Sequence, residues 1–556
     1  MRAYGSGHFG NWITDEAGLP AYEYTCNHAK DPAAEYTTRR GSSRDHFHLL
    51  GNFHTTAVAH NEGYVELYRP DGVGGWLNPY VPEQRAYAGG FGFVRLERRV
   101  RSTLYRHLAS PFYRRIWGVG YFRKSATWGD LAIDQVTFIP YGNDPVLLNL
   151  TSLHNRGLRP LALSYFESWD ALVTGVPSKA GQGWRIGAGP RWCTRYDRQR
   201  RLLLCSPAGP LRGRDSPPPT VFLAAIDGLP VAGFETSREV FFGEGGLDDP
   251  AALRLPFLAG NLFSQATAGD HTILALQRDV TVPPGGRLRL SHIYGYGPWD
   301  SGRYDAVGSA TPAGLVERYA TRPGQAWFEE SLGKWQESLV HFEAPKEGWL
   351  GREAAWSSYY AQALALLDAG TGETFLDRGG CQTYECGFPS SPSDSCRQAL
   401  ALLATSPAQV RGTIRHVTRL CRPDGSLPHL STRNRLLRPR RREPSDFHLW
   451  LLWLIADYVL FYRDRAFADQ EVSLYPQDAH HTTTIRQQLR RSLDCLRRGA
   501  EPDRQGVLRL LASGGQQVAS LARGLVDRWR PRRQGESTYN WGLAGVVLPR
   551  VAQLCR

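Results

Sequence analysis

Two rhythms of apolar and polar residues divide this chain. Up to about residue 300 the apolar positions alternate, or come in short runs closed by turn residues. Gly63-Tyr64-Val65-Glu66-Leu67-Tyr68 alternates and stops at Pro70-Asp71-Gly72, a turn signal. Asp134 to Pro140 runs into the turn Tyr141-Gly142-Asn143-Asp144-Pro145. Val146 to Ser152 and Leu161 to Trp169 follow, separated by His154-Asn155-Arg156-Gly157, and Arg287 to Tyr294 is a late strand. Many short strands with turns between them predict a sandwich.

Beyond residue 310 the period becomes helical. Ala313 to Tyr319 and Ala326 to Leu339 carry it, with Trp327, Leu332, Trp335 and Leu339 on one side. Helices then dominate: Ala355 to Ala369 (stopped by Gly370), Ser395 to Thr405, Ala408 to Cys421, Ser445 to Tyr462, Thr482 to Arg498, Gly515 to Arg528 and Asn540 to Cys555. Such a train predicts an α/α toroid or bundle. The fold class expected is α+β and multidomain. A β-sandwich covers 1–310, a helical linker 311–345, and an (α/α) barrel 346–556. The loop Asp377 to Ser395, polar and rich in Gly, Pro and Ser between two helices, is the first place to look for chemistry.

Composition narrows the partners. The chain has 556 residues, 42% hydrophobic and 21% charged, which excludes disorder as a whole-chain description. It holds no run of 18 uncharged apolar residues, so no membrane-spanning helix is expected. Met1 to Trp12 lacks the layout of a secretory signal. A net charge of +13 would ordinarily raise nucleic acid as a partner. Here 61 arginines stand against five lysines, scattered apart from Arg438 to Arg442 and Arg528 to Arg533. That skew fits codon bias in a GC-rich genome, so no nucleic acid is expected. The nine cysteines are irregularly spaced and form no CxxC pair, so they read as reduced thiols in a cytoplasm. His480 and His481 are adjacent and His448 is isolated, so no metal is expected.

Several segments, taken in order, carry a resemblance. They are Gly7-His8-Phe9-Gly10, Trp12-Ile13-Thr14-Asp15, Gly18-Leu19-Pro20-Ala21-Tyr22 and Gly89-Gly90-Phe91-Gly92-Phe93. Further on come Trp356-Ser357-Ser358-Tyr359-Tyr360, then Gly387-Phe388 followed by Asp394, and Arg422-Pro423-Asp424-Gly425-Ser426-Leu427-Pro428. Pro444-Ser445-Asp446-Phe447-His448-Leu449-Trp450-Leu451 and Gly535-Glu536-Ser537 complete the series. Together these resemble glycoside hydrolase family 94, once called glycosyltransferase family 36: the cellobiose, chitobiose and β-1,2-oligoglucan phosphorylases. Two departures stand out. Pro389-Ser390-Ser391-Pro392-Ser393 is uncharged where the family has an arginine or an acid. Leu511 to Val518 lacks the carboxylates of the family's Gly-Asp-Trp-Asn-Asp segment. Family members also continue for a few hundred residues, so the resemblance implies a C-terminally shortened chain holding part of an (α/α)6 barrel.

The resemblance implies phosphorolysis of a β-linked oligosaccharide to a sugar 1-phosphate. Inorganic phosphate would be co-substrate, no other cofactor would be needed, and a homodimer is the assembly often formed. An inverting hydrolase needs an acid and a base. A phosphorylase needs only the acid, because phosphate is already an anionic nucleophile that cations and hydroxyls hold in line. Asp394 is the candidate acid; its other reading is the N-cap of a helix starting at Ser395. Trp356, Tyr359, Tyr360, Tyr384 and Trp450 are candidate sugar-stacking faces. Core packing is the other reading of Tyr360, and the better one for Trp450 and Trp453. Gln382 and Glu385 are candidate substrate contacts in the loop, Glu385 reading equally as a solvated acid. Asp446 is a candidate contact, or an N-cap. The alternative functions are a non-catalytic carbohydrate-binding protein and an inverting hydrolase.

Overall fold

The computed structural model describes residues 3–25, 46–70, 74–104, 113–172, 192–207, 219–258, 260, 272–298, 311–368, 371–377, 379, 387–388, 390–428, 431–432, 435–436, 446–475, 481–499, 501–502, 508–509 and 538–555. The chain forms two compact units, Met1–Ala363 and Leu364–Arg556.

The first unit is a sandwich of antiparallel sheets. The larger sheet has ten strands, which in spatial order begin at Gly10, Pro20, Arg114, Tyr121, Leu131, Val146, Arg287, Thr220, Leu202 and Trp192. The smaller one runs through Arg99–Ser102, Phe91–Leu96, Leu161–Asp170, Thr272–Val282 and Gly233–Ser237. A four-stranded sheet adds Phe47–Gly51, Thr56–His60, Val65–Arg69 and Gly75–Trp76. Alternation explains the arrangement: Leu148 and Leu150 turn to one cluster of the core, while Leu147 turns to another. The expected strands at 146–152, 161–169 and 287–294 form and run on by one to three residues, while the one expected at 134–140 is shifted to Leu131–Phe138.

Between the two main sheets lies a seam of buried polar groups that alternation did not announce. Asn149 Nδ2 and Trp169 Nε1 each donate to Glu167 Oε1 at 2.6 Å. Tyr165 donates to Glu167 Oε2 at 2.6 Å, and Gln135 Nε2 donates to the Tyr165 hydroxyl at 3.0 Å. Lys124 Nζ donates to the Gly63 and Gly90 carbonyls, at 2.6 Å each. Burial pushes the Glu167 carboxyl up and the Lys124 ammonium down. Satisfied in this way, the network joins the sheets in one register.

Helices complete this unit. α1 is Arg238–Phe242; α2 is Pro312–Tyr319, capped by the Thr311 side chain; α3 is Gly324–Ser338. Leu315, Val316, Tyr319 and Phe328 of α2 and α3 pack on Phe138, Leu148 and Ile293 of the large sheet. α4, Gly348–Ala363, differs from expectation. It starts seven residues before the expected Ala355 and ends before Leu364. Ala365–Leu367 then forms a strand paired with Thr374–Leu376, so tertiary pairing overrides the helical propensity of Ala and Leu. α4 therefore lies with the β unit, not with the helical stretch expected from residue 346.

In the second unit α5 is Pro392–Ala401, α6 Pro407–Leu420, α7 Asp446–Tyr462, α8 Arg465–Ala468, α9 Ile485–Gly499 and α10 Thr538–Leu554. α7 is the hub, with α5, α6, α9 and α10 all packed against it. It is apolar around most of its circumference, as a surrounded helix must be: Phe447, Leu451, Leu454, Ile455 and Tyr458 are all buried. The expected helix at 482–498 starts at Ile485, because Thr482–Thr484 pairs as a strand with Glu471–Ser473. The expected helix at 515–528 lies outside the described residues.

Candidate functional site

The loop before α5 ends in a helix start built from serines. Ser391 is the N-cap, and Asp394 occupies the third helical position rather than capping a helix at Ser395. The Asp394 amide donates to Ser391 Oγ at 3.2 Å, and the Ser391 hydroxyl donates to Asp394 Oδ2 at 2.7 Å. The Ser391 amide reaches the same carboxylate oxygen at 3.4 Å, closing a capping box. Ser390, fully buried, shares a hydrogen bond of 3.0 Å with the Ser395 hydroxyl. The uncharged stretch at 389–393 thus has a local physical reason: hydroxyls fill the turn and satisfy the free amides of α5.

Asp394 is 34% exposed on its side chain, and its Oδ1 pairs with Arg397 one turn on. The Arg397 guanidinium lies 5.6 Å from the centre of the Trp450 ring. Trp450 stacks on Trp453 at 5.2 Å and 9°. Arg550 covers Trp453 at 5.5 Å, and Trp453 Nε1 donates to Asp457 at 2.6 Å. A ladder of acid, cation, two indoles and cation thus runs from α5 over α7 to α10. Trp450 Nε1 is buried without a hydrogen-bond partner. Cys396, beside Asp394, is fully buried, and burial, then the Asp394 charge, pushes its thiol far up, so it serves as a small apolar group.

Two further features mark this region. Gly387 and Phe388 both have positive φ, 77° and 53°. For a phenylalanine this is a costly backbone, held here by burial of its ring. Asp377, read from sequence only as the start of the loop, is buried 2.9 Å from His416 Nε2, and the His416 ring stacks on Phe375 at 4.3 Å. Two residues 39 positions apart share no local pattern that would have joined them. Asp446 is buried in the first turn of α7, where a carboxylate complements the helix dipole. Gln382, Tyr384 and Glu385 lie outside the described residues, as do Gly535-Glu536-Ser537 and 511–518. Among the described residues no group of three His, Cys, Asp or Glu side chains could hold a metal ion, and no helix is long and apolar enough to cross a membrane.

The expected aromatic platform is corrected. Tyr359 is fully buried in the first unit, its hydroxyl donating to the Leu49 carbonyl at 2.8 Å. The Tyr360 hydroxyl meets His48 Nδ1 at 3.0 Å. Trp356 lies 5.1 Å from the His48 ring and packs edge-on to Trp12 at 5.0 Å. Their spacing of three and four residues puts them on one face of α4, which the strand Phe47–Gly51 covers. The approach is close: a Cβ on Gly51 would stand 2.1 Å from the Ala363 carbonyl oxygen.

Two large antiparallel sheets joined by a buried seam, with helices packed on the outer face of the larger one, define a β-sandwich. Residues 88–321 match the family model "Glycosyl hydrolase 94, supersandwich domain". This stretch of the first unit is similar to that domain. No curated protein matches it in sequence. Among solved structures, one named "Putative kojibiose phosphorylase from human microbiome" superposes with a TM-score of 0.51 at 9% identity. The superposition covers 83% of this chain and 58% of that one, and at this identity it shows the fold alone. A polysaccharide lyase superposes with a TM-score of 0.27 at 16% identity, over 45% of this chain and 33% of that one, which is too weak to carry an argument.

Proposed function

We propose that the protein is a glycoside phosphorylase-type enzyme, which takes a β-linked oligosaccharide and inorganic phosphate and yields a sugar 1-phosphate. The supersandwich domain over residues 88–321 carries the reading. Asp394 is the acid proposed to protonate the departing glycosidic oxygen. In its favour are its partial exposure, its fixed position in the first turn of α5, and the strained Gly387-Phe388 backbone before it. Phosphate needs no base to activate it, so one acid suffices. The Trp450 indole and Arg397 beside Asp394 would meet the sugar and its hydroxyls.

One observation favours a second reading. Both Asp394 oxygens already accept hydrogen bonds, Oδ2 from Ser391 and Oδ1 from Arg397. A carboxylate used in this way closes the capping box of α5 with Ser391, and the protein would then bind saccharide without turnover. Asp394→Asn separates the two. With phosphate and a panel of β-linked gluco-oligosaccharides, loss of a general acid lowers sugar 1-phosphate release per folded molecule by about 10²–10⁴-fold, whatever the shift in thermal midpoint. A cap alone lowers the midpoint and leaves turnover per folded molecule unchanged. Turnover that does not need phosphate would identify a hydrolase instead.

A further inference from the structure

The first unit holds an open cleft of about 930 Å³, between the hairpin at Trp12–Pro20 and the segment linking α3 to α4. That volume lies within the range of small-molecule sites, about 300–1,000 Å³. Its lining is aromatic and fixed. Trp12 is held edge-on by Tyr22 at 5.1 Å and by Trp356 at 5.0 Å, and the Arg352 guanidinium covers it at 4.7 Å. Trp349 lies 5.3 Å from Tyr4, and its Nε1 donates to Glu347 at 2.6 Å. Tyr4 is 72% exposed and Phe342 54%, so aromatic surface faces water where folding had no need to leave it. Arg352 is anchored through Nη2 to the Tyr4 carbonyl at 2.9 Å and to Glu353 at 3.0 Å, while its Nε is buried without a hydrogen-bond partner.

We infer that this cleft, lined by residues of the first unit alone, is a binding site for a neutral oligosaccharide. Pyranose rings offer apolar C–H faces to aromatic rings and a rim of hydroxyls to carboxylates and guanidinium groups. The cleft supplies both, from Tyr4, Trp12 and Trp349 and from Glu347 and Arg352. Its charges balance, Glu343 and Glu347 against Lys346 and Arg352, which disfavours phosphate or another anion as the ligand. Ligand choice rests on the reading of the protein as carbohydrate-active, but not on Asp394. The role is to hold an oligosaccharide chain on the β unit.

The test is titration calorimetry of the full chain with cellohexaose and laminarihexaose, and with inorganic phosphate as the anionic probe. Trp349→Ala and Tyr4→Ala should each weaken saccharide binding at least tenfold with near-native thermal midpoints. Leu158→Ala, at an exposed position outside the cleft, should bind within twofold of the unsubstituted protein. Tyr4 is so exposed that its variant keeps the test valid should Trp349→Ala misfold. Saccharide binding untouched by Tyr4→Ala overturns the cleft and leaves the carbohydrate reading standing. So does sugar 1-phosphate formation without any measurable binding lost in either variant. Phosphate binding abolished by the cleft variants, with no saccharide bound, overturns the neutral ligand. Neither binding nor turnover with any oligosaccharide overturns both readings.

Discussion

The placement of Tyr359 in the core of the β unit, with Trp356 and Tyr360 packed against it, makes a quantitative claim about His48, the ring they surround. His48 is fully buried, with Nε2 donating to the Gly118 carbonyl at 2.8 Å and Nδ1 accepting from the Tyr360 hydroxyl. Trp117, Trp356 and Tyr359 stack around it. Burial, opposed by the Gly118 bond, holds its pKa down to about 3 from 6.5. The ring therefore stays neutral in the folded protein between those values but takes up a proton on unfolding. Its contribution is fully present above pH 6.5 and is lost as the pH falls from there towards 3. Between pH 7 and pH 5 the loss works out at about 2 kcal/mol, or roughly 25-fold in the opening equilibrium. Other buried groups titrate over the same range, His292 among them, so the measurement is a comparison with His48→Gln. Hydrogen exchange of peptides covering 47–51 and 146–155 reports the opening of this unit at both pH values. The variant is less protected at pH 7, and its deficit should shrink by about 2 kcal/mol at pH 5. A deficit that stays the same at both pH values would refute the buried, neutral ring, and with it the packing of Tyr359 and Tyr360 around it.

Two smaller perturbations test the local architecture. Ser391→Ala removes the cap of α5 and should cost about 1 kcal/mol, read as faster exchange of amides at 392–396, with Ser391→Asp recovering most of it. Gly51→Ala sets a methyl group against the Ala363 carbonyl and should cost about 1–3 kcal/mol, read as protease cleavage near the end of α4 at concentrations the unsubstituted protein resists.

The strands of the β unit were legible because each has a face to bury, and burial imposes a period of two that needs no knowledge of the partner. The helices of the second unit were legible for the matching reason, and α7 was the plainest, since a helix apolar all round can only be surrounded. Asp394 was legible as a residue of interest, with capping as its other reading. Its true place at the third position, with Ser391 as the cap, follows from Pro392 opening the helix, a preference that the Ser-Pro pair displays. The seam around Glu167 was not legible. Its members alternate with apolar residues on several strands, and only the packing of the sheets turns them toward one another.

What the sequence by itself determined is the succession of elements and their class: short strands first, helices afterwards, and an aromatic-rich α4 with one face to bury. Which partner received that face was decided by tertiary structure. A stripe of Trp356, Tyr359 and Tyr360 satisfies a sugar or a strand edge equally well as a pattern. The strand edge received them, with the bare backbone of Gly51 allowing the end of α4 to come close, and the packing buries Tyr359 fully and Trp356 and Tyr360 in part. The same holds for the exposed cleft: Tyr4, Trp12 and Trp349 carry no shared period, and their assembly comes from a fold that brings residues more than 300 positions apart into contact. Periodicity reports whether a side chain is buried; only the packed chain decides against what.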